Sequence, residues 1–177
     1  FRNDLIIDPQ KQYIGLGHSL GFTTLSQSTI NFDIIVGLQC FCNFLGQDEK
    51  LYKIRKPKLD QMLNSFNINP KACLERFYNI CGYNEKLENN LDITDLSTDL
   101  QMLYNSFIPR SLPTLIIGGT SDKIVPKSLI EDNFRNCDNM IIKYLPFAGH
   151  TLGYDLSDKI IEIITSFIHD QKISHRN

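Results

Sequence analysis

The 177-residue chain has no tryptophan, three methionines, and no apolar run approaching the roughly 18 residues that a membrane-spanning helix requires. It also lacks a surplus of positive charge. Eighteen Lys and Arg against twenty Asp and Glu leave a net charge of −2, which argues against general nucleic-acid binding. No repeat, low-complexity tract or long linker interrupts it. No leader with basic, apolar and small-residue regions is visible, although the sequence begins at Phe1 rather than Met and this absence excludes nothing. The five cysteines, Cys40, Cys42, Cys73, Cys81 and Cys137, are odd in number and not spaced as a disulfide framework. Cys40-x-Cys42 has no His/Cys partner pair at metal-ligand spacing. The expectation is buried free thiols, no metal, and a reducing compartment, the cytoplasm. What is present, 42% apolar and 21% charged residues, describes a soluble globular domain long enough for a sizeable core.

Short apolar runs alternate with helical patterns at both ends of the chain. Gln12 to Gly17 reads as a first strand ending at the glycine-rich motif, and Asp33 to Leu38, Thr114 to Gly118 and Met140 to Leu145 read as buried strands. Leu20 to Ile30, Lys127 to Phe134 and Leu156 to Phe167 read as helices, the last with Ile160, Ile161, Ile164, Phe167 and Ile168 on one face. This is the pattern of an α/β domain with a mostly parallel sheet, assigned to residues 1–38 and 111–177. Residues 39–110 break the rhythm with consecutive helices. Pro57 can start one, with Leu59, Met62, Leu63 and Phe66 on its face. Asn69-Pro70 starts a second, carrying Leu74, Phe77, Tyr78 and Cys81 and stopped by Gly82. A third runs from about Thr94 to Asn105, with Leu96, Leu100 and Leu103 inside. So long an insertion between strands suggests a cap or lid.

The chemistry is concentrated in "GLGHSLG". A serine hydroxyl is a weak nucleophile until a base takes its proton. Placed on a sharp strand-to-helix turn flanked by glycines, it faces the helix N-terminus and the N–H of the following residue, where an oxyanion develops. Ser19 has this context, strand then G-x-S-x-G then helix. Asp122, in "GGTSDKIVP", and His150, in "PFAGH", each follow a predicted strand, at the carboxyl edge where open α/β sheets build sites. Ser, Asp, His is the order this architecture uses. The other histidines are poorer candidates for the base. His18 lies inside the turn, pointing aside, and His169 and His175 fall in the polar tail.

"GHSLG", "GGTSDKIVP" and "FAGH" resemble the nucleophile, acid and base motifs of the α/β-hydrolase superfamily, and the 28 residues from Asp122 to His150 suit it. The resemblance implies a catalytic triad in which Ser19 attacks an ester carbonyl, His150 accepts its proton and Asp122 orients His150. The Leu20 backbone N–H is one oxyanion donor, and no cofactor is required. Within the superfamily, "LQCFCNF", "ACLERFYNICG" and "LSTDLQML" look like the cap of the carboxylesterases of biotin biosynthesis, which cleave pimeloyl-acyl carrier protein methyl ester. On that likeness Phe41, Phe44 and Phe77, with Met62 and Phe66, line an acyl tunnel, or else form the cap core. Lys53, Arg55 and Lys56, in the basic run "KLYKIRKPK", dock an acyl carrier protein, or else are solvated surface.

In this family the nucleophile turn comes far later in the domain than residue 19. The resemblance therefore implies an N-terminal portion outside the sequence, carrying the first strands and the second oxyanion donor, within one chain or as a separate fragment. Two other functions fit the same residues: a general short-chain carboxylesterase or thioesterase, and a non-catalytic ligand-binding pseudo-hydrolase.

Overall fold

Four apolar segments pair in parallel as β1 (Ile14–His18), β2 (Ile34–Leu38), β3 (Thr114–Gly119) and β4 (Met140–Leu145), in the order β1-β2-β3-β4. The structure is a computed structural model that describes residues 8, 10–83 and 92–174; His175 lies outside them. β2 and β3 are buried along their whole length, as strands covered on both faces must be. Their alternate residues feed two cores. Ile35 and Ile116 pack with Phe22 and Leu25 of α1 (Leu20–Gln27) and with Leu129, Ile130 and Phe134 of the helix at Lys127–Phe134. Val36, Leu38, Leu115 and Ile117 pack with Ile160 and Phe167 of the C-terminal helix, Ser157–Ser174. Helices therefore cover both faces of the sheet. β1 lies at its edge, with Ile14 and Leu16 exposed.

α1 stops at Gln27, short of the predicted Ile30, because Ser28 turns extended and its hydroxyl accepts the Ile30 N–H at 3.1 Å. The C-terminal helix runs past the predicted Phe167 to Ser174. Ile161, expected on its buried face, is 61% exposed, while Ile163 packs inward in its place.

Between β2 and β3 lie α2 (Glu49–Ile68), α3 (Pro70–Cys81) and α4 (Ile93–Met102). α2 begins eight residues before Pro57, which the sequence suggested as its start. Asp48 is the reason: its carboxylate accepts the N–H groups of Lys50 and Leu51, a strong cap. Pro57 removes the donor for the Lys53 carbonyl, but it sits on an exposed face where water can serve. α3 keeps its predicted bounds, from the Asn69 cap on the Ala72 N–H to Gly82 at φ +86°. α4, capped by Asp92, packs Leu96 and Leu100 onto Phe66, Cys73 and Leu74.

α5 (Lys127–Phe134) anchors the start of this insertion through two buried polar residues. Asp132 accepts the backbone N–H groups of Gln47 and Asp48 and pairs with Arg135. Asn133 accepts those of Cys42 and Asn43 and donates to the Asn43 carbonyl. Two helices follow β4: the four-residue α6 (Leu152–Asp155), and α7, the C-terminal helix already described.

Candidate active site

Ser19 stands between β1 and α1 at φ 53° and ψ −124°, a backbone conformation that costs free energy in a non-glycine residue. The turn is tight because Gly17 lets strand and helix touch. A Cβ there would lie 2.7 Å from the Phe22 backbone nitrogen and Cα. Backbone atoms cannot swing away, so Gly17→Ala should displace the turn and lower stability by about 1–3 kcal/mol in denaturant unfolding. Wild-type stability in that variant would contradict the close passage. Gly21 plays no equivalent role: nothing lies within 4 Å of a Cβ built on it.

Ser19 opens into a cavity of about 650 Å³, which it shares with His18, Leu20, Phe77, Tyr78 and His150. The Leu20 N–H, first in α1, has no partner within the helix and stands beside the serine. Asp122 and His150 meet across the ends of β3 and β4. His150 Nδ1 lies 2.7 Å from Asp122 Oδ2, with both side chains buried. Asp122 Oδ1 accepts the N–H groups of Ile124 at 2.6 Å and Val125 at 3.0 Å, which leaves Oδ2 for the histidine. Nδ1 is therefore the protonated nitrogen, and Nε2 is free to accept. Among the described residues no hydrogen bond joins Ser19 Oγ to His150. Contacts of this kind commonly tighten only when substrate binds.

His18 does not point aside as the sequence suggested. Its ring lines the cavity 4.7 Å from that of His150, and Nε2 donates to the His150 carbonyl at 2.9 Å. Burial, then the nearby His150, lowers its pKa. The unfolded chain thus takes up a proton that the fold resists. This destabilisation sets in as pH falls below about 6.5 and is complete below the lowered folded value. His18→Gln, which keeps a donor for the carbonyl, should lose less Tm than the wild type between about pH 7 and pH 5. Equal losses would overturn this account.

Of the other residues marked in the sequence, Phe77 lines the cavity. Phe41 is buried in the core beneath α1 and α5, and Phe44 lies against the Arg55 guanidinium, so neither reaches the cavity wall. Arg55 turns inward. It donates to the carbonyls of Phe44 and Ile124, and burial lowers its pKa to about 10. That makes it a brace between α2 and the loop carrying Asp122. Lys53 pairs with Glu49 and Lys56 with Asp60 along the outer face of α2. The cysteines are free, and burial raises the thiols of Cys42 and Cys81 to about 12. Among the described residues no group of three or more His, Cys, Asp or Glu could hold a metal ion, and no helix is long and apolar enough to cross a membrane.

Two features of the site carry no sequence motif. One is an aromatic wall, in which Phe77 and Tyr78 of α3 continue through Tyr83 to Tyr154 with ring centroids 5.4–6.4 Å apart. The other is Gln39, a buried residue at φ 46° at the end of β2.

No protein-family model matches the chain, and no curated protein matches it in sequence. Solved structures do match in shape. An esterase from Exiguobacterium antarcticum superposes with a TM-score of 0.71 at 17% identity, over 87% of this chain and 65% of the esterase. A thermophilic esterase gives 0.67 at 18% identity, over 90% of this chain and 66% of that one. MGS-M2, an alpha/beta hydrolase enzyme from a Medee basin deep-sea metagenome library, gives 0.59 at 13% identity, over 89% and 65%. This chain spans about two thirds of the length of these proteins. With its parallel sheet, helices on both faces and serine-bearing turn after β1, it has the α/β-hydrolase fold over that portion.

Proposed function

We propose that the chain carries the triad of a serine esterase, with Ser19 as nucleophile, His150 as general base and Asp122 as its orienting partner. The observation that carries this reading is the buried 2.7 Å contact between His150 Nδ1 and Asp122 Oδ2, which leaves Nε2 to accept a proton in the cavity that Ser19 also lines. Ser19 Oγ attacks the ester carbonyl as Nε2 takes its proton, and the Leu20 N–H donates to the oxyanion. The C–O bond to the alcohol breaks, and the alcohol leaves with the proton from His150. A water, deprotonated in turn by His150, attacks the acyl-enzyme. The acid departs and Ser19 regains its proton.

The cavity also suggests the substrate class. Its lining carries no Lys, Arg, Asp or Glu among the described residues, and the aromatic wall forms one side. An acyl group without charge suits such a surface, since a buried charge there would have no partner. The narrower candidate is the methyl ester of pimeloyl-acyl carrier protein. For its docking the candidates are Lys53 and Lys56, on the outer face of α2 in surface pairs with Glu49 and Asp60, whereas Arg55 is held inside. The free, mostly buried thiols suit a reducing compartment such as the cytoplasm.

A serine-directed fluorophosphonate tests the mechanism. One equivalent should bond to Ser19, located by peptide mass, and should block hydrolysis of p-nitrophenyl esters. Full activity after complete labelling, or labelling elsewhere, would overturn the assignment. Turnover of the carrier-protein ester well above that of p-nitrophenyl esters supports the narrower substrate; the reverse favours a general carboxylesterase.

A further inference from the structure

Gln39 occupies a position that its own backbone does not favour. At φ 46° a glycine or asparagine would fit with less strain, yet a fully buried glutamine is there. Its side chain supplies the reason. Oε1 accepts the N–H of Gly119, the last residue of β3, at 2.8 Å, and Nε2 donates to the carbonyl of Gly149 at 2.8 Å. Gly119 stands three residues before Asp122, and Gly149 immediately precedes His150. A single planar amide thus spans the two segments that carry the acid and the base. Asparagine, one carbon shorter, could not reach both.

The surroundings keep this bridge under constraint. The Gln39 N–H is bonded to the Ile117 carbonyl, so the residue cannot rotate freely. At Gly119 the two segments nearly touch: a Cβ there would lie 2.3 Å from the Ala148 carbonyl oxygen and 2.8 Å from Gln39 Nε2. The next carbonyl after Gly149, that of His150, is held by His18. Side chains from the ends of β1 and β2 therefore take consecutive carbonyls at the base.

We propose that Gln39 is a positioning residue for the Asp122–His150 pair, its amide setting the separation between the segment that bears the acid and the loop that bears the base. This rests on the triad reading above. Without the amide, the Gly119 N–H and the Gly149 carbonyl lose their partners together. The histidine loop can then drift by the few tenths of an ångström that proton transfer does not tolerate.

The test is Gln39→Met, which keeps the length and removes both hydrogen bonds, with Gln39→Glu, which keeps only the acceptor for Gly119. Both are made in the full protein, and rates are counted per fluorophosphonate-titrated serine so that unfolded molecules do not enter. Gln39→Met should lower kcat for p-nitrophenyl butyrate by about 10–100-fold with KM within about twofold, and Gln39→Glu should fall between it and the wild type. Added to Asp122→Asn, Gln39→Met should cost less than threefold more, because the proton transfer whose alignment it protects is already blocked by the wrong histidine tautomer. Wild-type kcat per titrated serine, with only Tm lowered, would reduce Gln39 to a structural residue and overturn the inference. So would a full multiplicative loss in the double variant. Either result leaves the triad standing; a wild-type protein that neither labels nor turns over would instead remove the triad reading itself.

Discussion

Ser19→Ala should lower kcat for ester hydrolysis by about 10⁵–10⁶-fold, with KM changed by no more than a few fold. The size follows from the role the proposed mechanism gives the hydroxyl. Without it no acyl-enzyme forms, and hydrolysis depends on water attacking a carbonyl polarised by the remaining donors, which leaves a small residual rate. The fold should be nearly indifferent. Ser19 caps α1 by position alone, since its side chain makes no cap hydrogen bond. Alanine inherits the same positive φ without new strain, because serine already bears it. Stability should stay within about 0.5 kcal/mol of the wild type. Measuring kcat, KM and Tm on one preparation separates catalysis from folding. Retained turnover would place the nucleophile elsewhere, whereas a collapse of Tm would show that the turn depends on the hydroxyl.

The elements most legible in the sequence are those whose local signals agree with their packing. Lys127–Phe134 and Met140–Leu145 keep their predicted bounds, since an apolar pattern and a flanking Pro or Asn mark both ends. Asn69, Pro70 and Gly82 fix α3 for the same reason. Pro57 misled because proline is a good first-turn residue and only a poor interior one. Asp48, nine positions upstream, had already nucleated the helix, and an exposed face tolerated the lost donor. Ile161 misled because a stripe read at i, i+3, i+4 fixes a helix face only to within about one residue, and α7 is rotated to bury Ile163 instead.

The candidate site divides the same way. Ser19, Asp122 and His150 could be read from the chain because the architecture fixes their order and places each after a strand. The residues that hold them could not. Arg55 looked like one cation in a basic run, and no local pattern tells an arginine that reaches inward to Phe44 and Ile124 from one that faces water. Gln39 and Asn133 act through backbone groups about 80 to 110 residues away along the chain, and a backbone partner leaves no trace in residue identity. Phe41 and Phe44 rest on a likeness in cap sequence and on residue type, and neither distinguishes a cavity wall from the core behind it.

Asp122→Asn should cost about 10⁴-fold in kcat, through the proton rather than through the fold. The two oxygens of Asp122 have different partners. Oδ1 is fixed by the N–H groups of Ile124 and Val125, and Oδ2 faces His150 Nδ1. An asparagine oxygen must take the first position, because an NH₂ there would meet two donors. Its NH₂ then faces Nδ1 and makes that nitrogen the acceptor. The ring proton moves to Nε2, the nitrogen that has to receive the Ser19 proton, and the base is blocked although no atom has moved far. Volume is unchanged and both backbone hydrogen bonds survive, so stability should fall by no more than about 1–2 kcal/mol. KM should change little, since the cavity wall is untouched. A loss of less than tenfold in kcat would show that His150 does not depend on Asp122 for its tautomer. A loss of about 10⁴-fold with Tm nearly intact is the result expected of a carboxylate whose second oxygen exists to hold one proton in place.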